Sequence, residues 1–179
     1  MEDIKLWDLF KSGDKTAFER IYSNEIQFLV RYGRSMGYTL DTVEDALHEL
    51  FVEIWEARDR LSTPTSIRSY LLVSLRRKLH KSNDKITTGL SEYDTLNESV
   101  PAFEDELIQS EKERSESTMI LNGMNLLSTK QREILHLKYY QGLDYDAISE
   151  ILGINYQSAR NAVHRAIKEL ALVIKKDGS

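Results

Sequence analysis

The sequence predicts an all-α protein in which an acidic flexible linker joins two small helical domains. Apolar residues recur at helical spacing on both sides of a central segment, and no stretch shows sustained strand alternation. The central segment, residues 82–105, is rich in acids and turn-forming residues and poor in periodic apolar positions. We place the domains at residues 1–82 and 113–179, with the linker at residues 83–112.

Four helices are predicted in the first domain. The first spans roughly residues 3–12 and the second residues 14–35. The third spans residues 41–58 with Asp41 as its expected N-cap, and the loop DRLSTPTS separates it from a fourth helix over residues 67–81. The expected core residues of the second helix are Phe18, Ile21, Tyr22, Phe28 and Leu29.

The second domain carries clear local signals for helix ends. Helicity resumes at about residue 104 and runs to residue 125. Ser128 and Gln131 form a capping-box pattern at the start of a helix that we expect to continue through Tyr140. Asp144 suits the cap of the next helix, and DAISEILGINYQSARNAVHRAIKEL then predicts two helices hinged at Gly153.

Composition excludes several functional classes. The chain has no cysteine, and its four histidines are scattered, so we expect neither a metal nor another cofactor. Neither a glycine-rich phosphate loop nor a nucleophile–histidine arrangement is present, which argues against an enzyme. We also find no membrane-length apolar run and no basic-then-apolar N-terminal segment. We therefore expect a cytoplasmic protein without membrane insertion.

The formal net charge of −5 conceals a segregation of charge along the chain. Residues 60–82 contain six basic residues and no acid, whereas residues 1–59 have a net charge of −6 and residues 83–127 one of −7. Residues 128–179 carry a net charge of +2. Basic segments without acidic partners are typical of surfaces that contact nucleic-acid phosphates.

The last predicted helix, which begins at Tyr156, separates apolar from polar groups. Its apolar face carries Ala159, Ala162, Val163, Ala166, Ile167 and Leu170. The amide and guanidinium groups of the other face can form paired hydrogen bonds with base edges in a major groove. The candidate DNA contacts here are Tyr156, Gln157, Ser158, Arg160, Asn161, His164, Arg165 and Lys168. A merely solvated polar face is the alternative.

Two helices of the first domain also carry unusual faces. In the fourth, Tyr70, Arg77 and Lys81 point away from the leucine-rich face, which suits phosphate contacts and base stacking. In the third, Val52 and Trp55 lie opposite the core stripe, among charged residues. Apolar groups ringed by charges are typical of a protein-interaction patch. The alternative is that the first helix covers Trp55.

Three segments together resemble a known family. The segments TVEDALHELFVEIWEARDRL, SIRSYLLVSLRRKLHKS and LSTKQREILHLKYYQGLDYDAISEILGINYQSARNAVHRAIKEL are similar to bacterial extracytoplasmic-function (group IV) sigma factors of the sigma-70 superfamily. The likeness covers both domains in the family's order, and its form is similar to that of the Bacteroidetes branch. The resemblance implies that the first domain is a sigma region 2 helical bundle and the second a sigma region 4 helix-turn-helix.

The resemblance implies a transcription initiation factor with three contact surfaces. The first domain would bind the clamp of core RNA polymerase and melt the promoter −10 element, whereas the second would bind the flap and read the −35 element as duplex. An anti-sigma factor is a further candidate partner. The implied polymerase contacts are Asp45, His48, Glu49, Phe51, Val52 and Trp55. Phe51 is included only because of the family motif. The implied contacts to the melted −10 strand are Arg60, Ser62, Thr63, Thr65, Ser66, Tyr70, Arg76, Arg77 and Lys81.

Two other hypotheses remain open from the sequence. A dimeric helix-turn-helix regulator would bind a palindrome without stable association with polymerase, but it would have no use for the Trp55 patch together with the basic helix. A helical adaptor or anti-sigma-like protein would touch no DNA, and the segregated basic face counts against it.

Overall fold

The computed structural model describes the backbone of residues 2–87 and 119–177 and the side chains of residues 3–81 and 119–176. The chain divides into two compact units, one formed by residues 1–34 and 38–96 and the other by residues 35–37 and 97–179. The predicted linker beyond residue 87 and the predicted helical stretch up to residue 118 lie outside the described residues.

The described part of the N-terminal unit is a bundle of helices. Its elements are α1 (Glu2–Lys11), α2 (Lys15–Ser35), α3 (Leu40–Ala57), a 3-10 turn (Arg58–Arg60) and α4 (Ile67–Thr87). The core is formed by Trp7 and Phe10 of α1 together with aliphatic residues of the other helices, and all of these side chains are almost fully buried. At Gly33 the helices α2 and α3 approach closely, because a Cβ atom there would lie 2.6 Å from Cγ2 of Val43.

Three details of this unit differ from the sequence predictions. Thr39 caps α3 in place of Asp41, since its Oγ1 accepts a hydrogen bond from the Thr42 N–H at 3.3 Å while Asp41 lies in the first turn. Helix α4 continues to Thr87, because residues 82–87 contain neither glycine nor proline to stop it. Tyr22, a predicted core residue, is 44% exposed.

The described part of the C-terminal unit is also helical. Residues 119–125 form α5, which is followed by α6 (Thr129–Leu135), a π-helical turn (His136–Tyr140), α7 (Tyr145–Leu152) and α8 (Tyr156–Asp177). The predicted capping box is confirmed: Ser128 Oγ accepts from the Gln131 N–H, and Gln131 Oε1 accepts from the Ser128 N–H. Asp144 is confirmed as the cap of α7.

The predicted helix continues through Tyr140, but its second half, His136–Tyr140, is a π-helical turn and not an α-helix. The Gln141 N–H donates to the carbonyl of His136 at 2.9 Å, which is the spacing of a π turn. This wider turn accompanies a buried contact of 3.0 Å between Nε2 of Gln141 and Nε2 of His136, whose ring also stacks on Tyr140. Such a contact between side chains is not visible in the apolar periodicity.

Burial of His136 should make the C-terminal unit sensitive to acid. Burial lowers the pKa of this histidine from 6.5 to about 4, so between these values the unfolded state binds more protons than the folded state. We expect stability to be fully present above pH 6.5 and to fall by about 1.4 kcal/mol per pH unit below it, until the folded-state pKa is reached.

Urea unfolding at several pH values measures this effect. The His136 contribution to the pH dependence should disappear in a His136→Gln variant and persist in His164→Gln, since His164 is exposed on α8. An unchanged pH dependence in His136→Gln would contradict the assignment.

Candidate functional site

Helices α7 and α8 form the predicted helix-turn-helix. Gly153 ends α7 with φ +66° and ψ 36°, a left-handed conformation that glycine adopts without strain. The Ile154 N–H then donates to the carbonyl of Ser149 at 3.0 Å, and Asn155 Oδ1 accepts from the Ser158 N–H at 2.8 Å. This second bond caps α8, and the sequence analysis missed it although asparagine is a favoured cap residue.

Most of the predicted polar face of α8 is exposed. Ala159, Val163 and Ala166 are fully buried, whereas Ile167, predicted to be apolar core, is 37% exposed. Opposite them, the exposed candidate residues are Tyr156, Gln157, Arg160, Asn161, His164, Arg165 and Lys168, while Ser158 is half-buried. The structure therefore brings seven of the eight predicted side chains to the exposed surface of one helix.

The start of α8 is held in a defined arrangement. Gln157 Nε2 donates to Asn161 Oδ1 at 3.1 Å, which joins two amides one helical turn apart. The ring of Tyr156 packs edge-on against Tyr145 at 5.7 Å, and Lys138 Nζ lies 4.6 Å from the centre of the Tyr145 ring. Tyr145 was not among the predicted residues, because its contact depends on how the two helices fold together.

Acids from other helices neutralise part of the basic segment. Arg68 donates twice to Glu25 of α2, at 2.7 and 3.2 Å, and Lys78 lies 2.6 Å from Glu53 of α3. Arg68 is also stacked over Phe28 at 3.8 Å. These two cations of the basic segment, which lie outside the predicted basic face, therefore have acidic partners on other helices. Arg77 and Lys81 remain exposed on α4.

A depression of about 400 Å³ lies between α3 and α4, and Leu61, the first residue of the loop of residues 61–66, contributes to its lining. Tyr70 and Ser74 line it, with Arg77, Lys78 and Lys81 on the α4 side and Glu53 on the α3 side. Burial raises the pKa of the Tyr70 phenol above its usual value, against smaller lowering effects of a hydrogen bond with Ser74 and the charge of Arg77. The phenol is therefore neutral at physiological pH.

The loop beside this depression presents several hydroxyl groups. Ser62, Thr63 and Thr65 are exposed, and Ser66 Oγ accepts a hydrogen bond from the Ser69 N–H at the start of α4. Arg60 is exposed at the end of the 3-10 turn. Ser66 also accepts a hydrogen bond from the Tyr70 N–H through its backbone carbonyl, and Arg76 is half-buried beside Arg77 on α4.

The prediction that Trp55 is an uncovered aromatic side chain on the charged face of α3 needs correction. Trp55 is half-buried, because Phe18 of α2 packs against it at 5.0 Å and Phe10 of α1 at 6.3 Å. The guanidinium of Arg58 covers the ring at 4.6 Å. The alternative that α1 covers Trp55 is therefore correct in part.

The remaining predicted residues of α3 differ in exposure. Phe51 is only 5% exposed, because Tyr22 packs edge-on against it at 4.8 Å. Val52 is 42% exposed. The exposed charged and polar members of this set are Asp45, His48 and Glu49.

Next to these residues, α2 and α3 form an apolar groove of about 800 Å³. Its apolar walls come from Phe18, Tyr22, Ile26, Val30, Leu47, Phe51, Val52 and Trp55. Charged and polar residues line its edges: Lys15, Glu19, Glu44, His48 and Glu56. The sequence analysis missed the α2 wall, although apolar residues at positions 18, 22, 26 and 30 repeat at intervals of four, which is a sequence signal for such a stripe.

Comparison with known proteins agrees with these features. The family model of sigma-70 region 4 matches residues 117–170, which include α6, α7 and most of α8. The RNA polymerase sigma factor NccH of Alcaligenes xylosoxydans xylosoxydans is 24% identical over 91% of this chain and 89% of its own length. The RNA polymerase sigma factor CnrH of Cupriavidus metallidurans is 23% identical over 93% of this chain and 91% of its own.

Solved structures share the fold. CnrH in complex with the cytosolic domain of CnrY matches with a TM-score of 0.70 and 20% identity, over 98% of each chain. The sigma factor RpoE in complex with the anti-sigma factor NepR, from Bartonella quintana, matches with a TM-score of 0.65 and 19% identity, over 88% of this chain and 96% of the other.

The helical fold, the helix-turn-helix and the region 4 match define a sigma-type transcription factor. Residues 117–170 thus match sigma-70 region 4, the chain is similar over most of its length to RNA polymerase sigma factors, and it is a transcription initiation factor. Within residues 2–87 and 119–177, no helix is long and apolar enough to cross a membrane. The same ranges contain no group of three or more acidic or histidine side chains suited to a metal ion.

Proposed function

We propose that the two units divide the work of promoter-directed initiation. The N-terminal unit binds the polymerase clamp and opens the −10 element, while the C-terminal unit binds the flap and reads the −35 element. The observation that carries this proposal is the presence, in one chain, of an exposed apolar groove and an amide-rich recognition helix. The protein acts in the cytoplasm as a specificity factor and catalyses no reaction itself.

The groove between α2 and α3 is the proposed clamp site. Its apolar walls suit one face of an amphipathic helix, and the exposed acids Asp45, Glu49 and Glu56 suit basic residues on that helix. Val52 and Trp55 contribute directly to the contact surface. Phe51 supports the wall from beneath, since its side chain is almost fully buried.

The depression beside the loop is the proposed site for the melted −10 strand. Melting exposes unstacked bases, which are stabilised by stacking on an aromatic ring and by hydrogen bonds to their edges. Tyr70 supplies the ring, and Ser62, Thr63, Thr65 and Ser66 supply the polar groups. Arg60, Arg76, Arg77 and Lys81 contact the phosphates of the same strand.

A double variant tests the role of α4 in melting. Arg76→Ala/Arg77→Ala should reduce open-complex formation about tenfold or more, because two phosphate contacts are lost, and should leave binding to core polymerase unchanged. Lys5→Ala/Arg20→Ala makes the same change in net charge at exposed positions on α1 and α2 and should melt promoters normally. Permanganate footprinting measures the opening. Normal melting by the first double variant would exclude this assignment.

Helix α8 is the proposed −35 reader. Side chains near the start of a recognition helix meet base edges, while flanking cations hold the backbone. Gln157, Arg160 and Asn161 therefore read bases. The proposed backbone contacts are Ser158, His164, Arg165 and Lys168, with Tyr156 at the entry of the helix into the groove.

An anti-sigma factor is the proposed regulatory partner. Both structural neighbours described above were solved in complexes, RpoE with the anti-sigma factor NepR and CnrH with the cytosolic domain of CnrY. The apolar groove is a surface that such a partner would compete for with polymerase.

A further inference from the structure

Trp7 joins α1 to the loop of residues 61–66. Its side chain is fully buried, and its Nε1 donates a hydrogen bond of 3.1 Å to the backbone carbonyl of Ser62, 55 positions away in sequence. A buried indole N–H requires an acceptor, and here the acceptor belongs to an irregular segment. The bond therefore restrains the position of the Ser62 peptide and the direction of the side chains beside it.

A second hydrogen bond joins the same two segments. Thr63 Oγ1 donates to Asp8 Oδ1 at 3.4 Å, so two consecutive residues of α1 hold two consecutive residues of the loop. Because irregular segments lack the repeated backbone bonds of helices, a pair of such contacts removes much of their conformational freedom.

The Trp7 ring also supports the aromatic wall of the depression. It packs edge-on against Tyr70, with ring centroids 5.3 Å apart and an interplanar angle of 70°. Tyr70 lines the depression together with Arg77 and Lys81. One side chain thus contacts both the loop and the ring that border the site, although it has no exposed surface with which to touch DNA.

We propose that Trp7 is a positioning residue that sets the base preference of the −10 site without contacting DNA. The inference rests on the proposed function of this loop and extends it, because promoter choice then depends on α1. Without the indole N–H, the Ser62–Thr63 segment occupies several positions and rejects incorrect bases less strongly. Discrimination between bases requires that the groups contacting them are held in place.

The test uses Trp7→Phe, which keeps a buried ring and removes the donor. Polymerase reconstituted with each variant transcribes a promoter library randomised at −10 and constant at −35. Discrimination at one or two −10 positions should fall about threefold to tenfold, the range expected for one hydrogen bond. Affinity for core polymerase and preference at −35 should match those of the parent.

Asp8→Ala removes the second hydrogen bond to the loop at an exposed position. It should lower base discrimination at the same −10 positions, but by less than Trp7→Phe. This variant also keeps the test valid if Trp7→Phe does not fold.

Two controls are needed. One distinguishes a positioning role of Trp7 from a general loss of stability, and the other distinguishes failure of this proposal from failure of the proposed −10 site. Phe10→Leu loosens the packing next to Trp7, whose ring is 4.9 Å away, but keeps the bond to Ser62. It should lower thermal stability and leave −10 preferences unchanged. Arg76→Ala/Arg77→Ala reports on the −10 site itself, because its melting defect is expected whether or not Trp7 positions the loop. Two results would overturn the proposal. In the first, both Trp7→Phe and Asp8→Ala keep the parent's base preferences at −10. In the second, Phe10→Leu relaxes these preferences as much as Trp7→Phe does.

Discussion

Replacing Val52 by glutamate should lower the affinity for core RNA polymerase by about a hundredfold or more. The change places an unpaired carboxylate in the apolar wall of the groove, and an uncompensated charge buried at an interface costs several kcal/mol. The free protein should fold normally, because the Val52 side chain is 42% exposed before any partner binds. Titration of labelled protein with core polymerase measures the affinity.

Leu40→Glu is the matched control for this prediction. Leu40 begins α3, has a similar exposure of 45%, and lies outside the groove lining. Its substitution should leave polymerase affinity within about twofold of the parent, as is usual for an exposed site outside an interface. Equal losses in both variants would mean that the acidic change, and not its position in the groove, weakens binding.

Replacing Arg160 by alanine should relax the choice of base at one or two −35 positions. Loss of a paired hydrogen bond to a base edge costs about 1–3 kcal/mol of discrimination. Lys168 lies nearer the C-terminus of α8 and is also exposed. Lys168→Ala should weaken binding to all DNA sequences similarly and reduce the salt dependence of the affinity, since it removes only a phosphate contact.

A promoter library randomised at −35 distinguishes the two variants in one experiment. Each variant is combined with core polymerase, and the bases enriched at each position are compared with those of the parent. Unchanged preferences in Arg160→Ala, together with unchanged preferences in Gln157→Ala and Asn161→Ala, would refute the assignment of α8 as the −35 reader.

The helix ends of the C-terminal unit were predictable because their signals are local. The Ser128–Gln131 capping box and the Asp144 cap are hydrogen bonds between residues three apart, and Gly153 supplies a left-handed residue at a helix end. Such features depend on neighbouring residues alone and hardly on the rest of the fold. The polar face of α8 followed from the same short-range reasoning.

The N-terminal surfaces depended on contacts that periodicity does not contain. The Arg68–Glu25 pair joins residues 43 positions apart, and the Lys78–Glu53 pair joins residues 25 apart. Only the folded bundle shows that these cations are neutralised. The cover on Trp55 has the same origin, since Phe10 and Phe18 reach it from two other helices.

The most direct test of the central claim is to map transcript starts with purified components. Core polymerase transcribes genomic DNA of the source organism with and without the protein, and the new RNA 5′ ends are sequenced. A sigma factor should create starts that are absent without it and that share two upstream sequence elements at constant spacing. Failure to create such starts, combined with binding of a dimer to palindromic DNA in the absence of polymerase, would contradict the account and favour a conventional helix-turn-helix regulator.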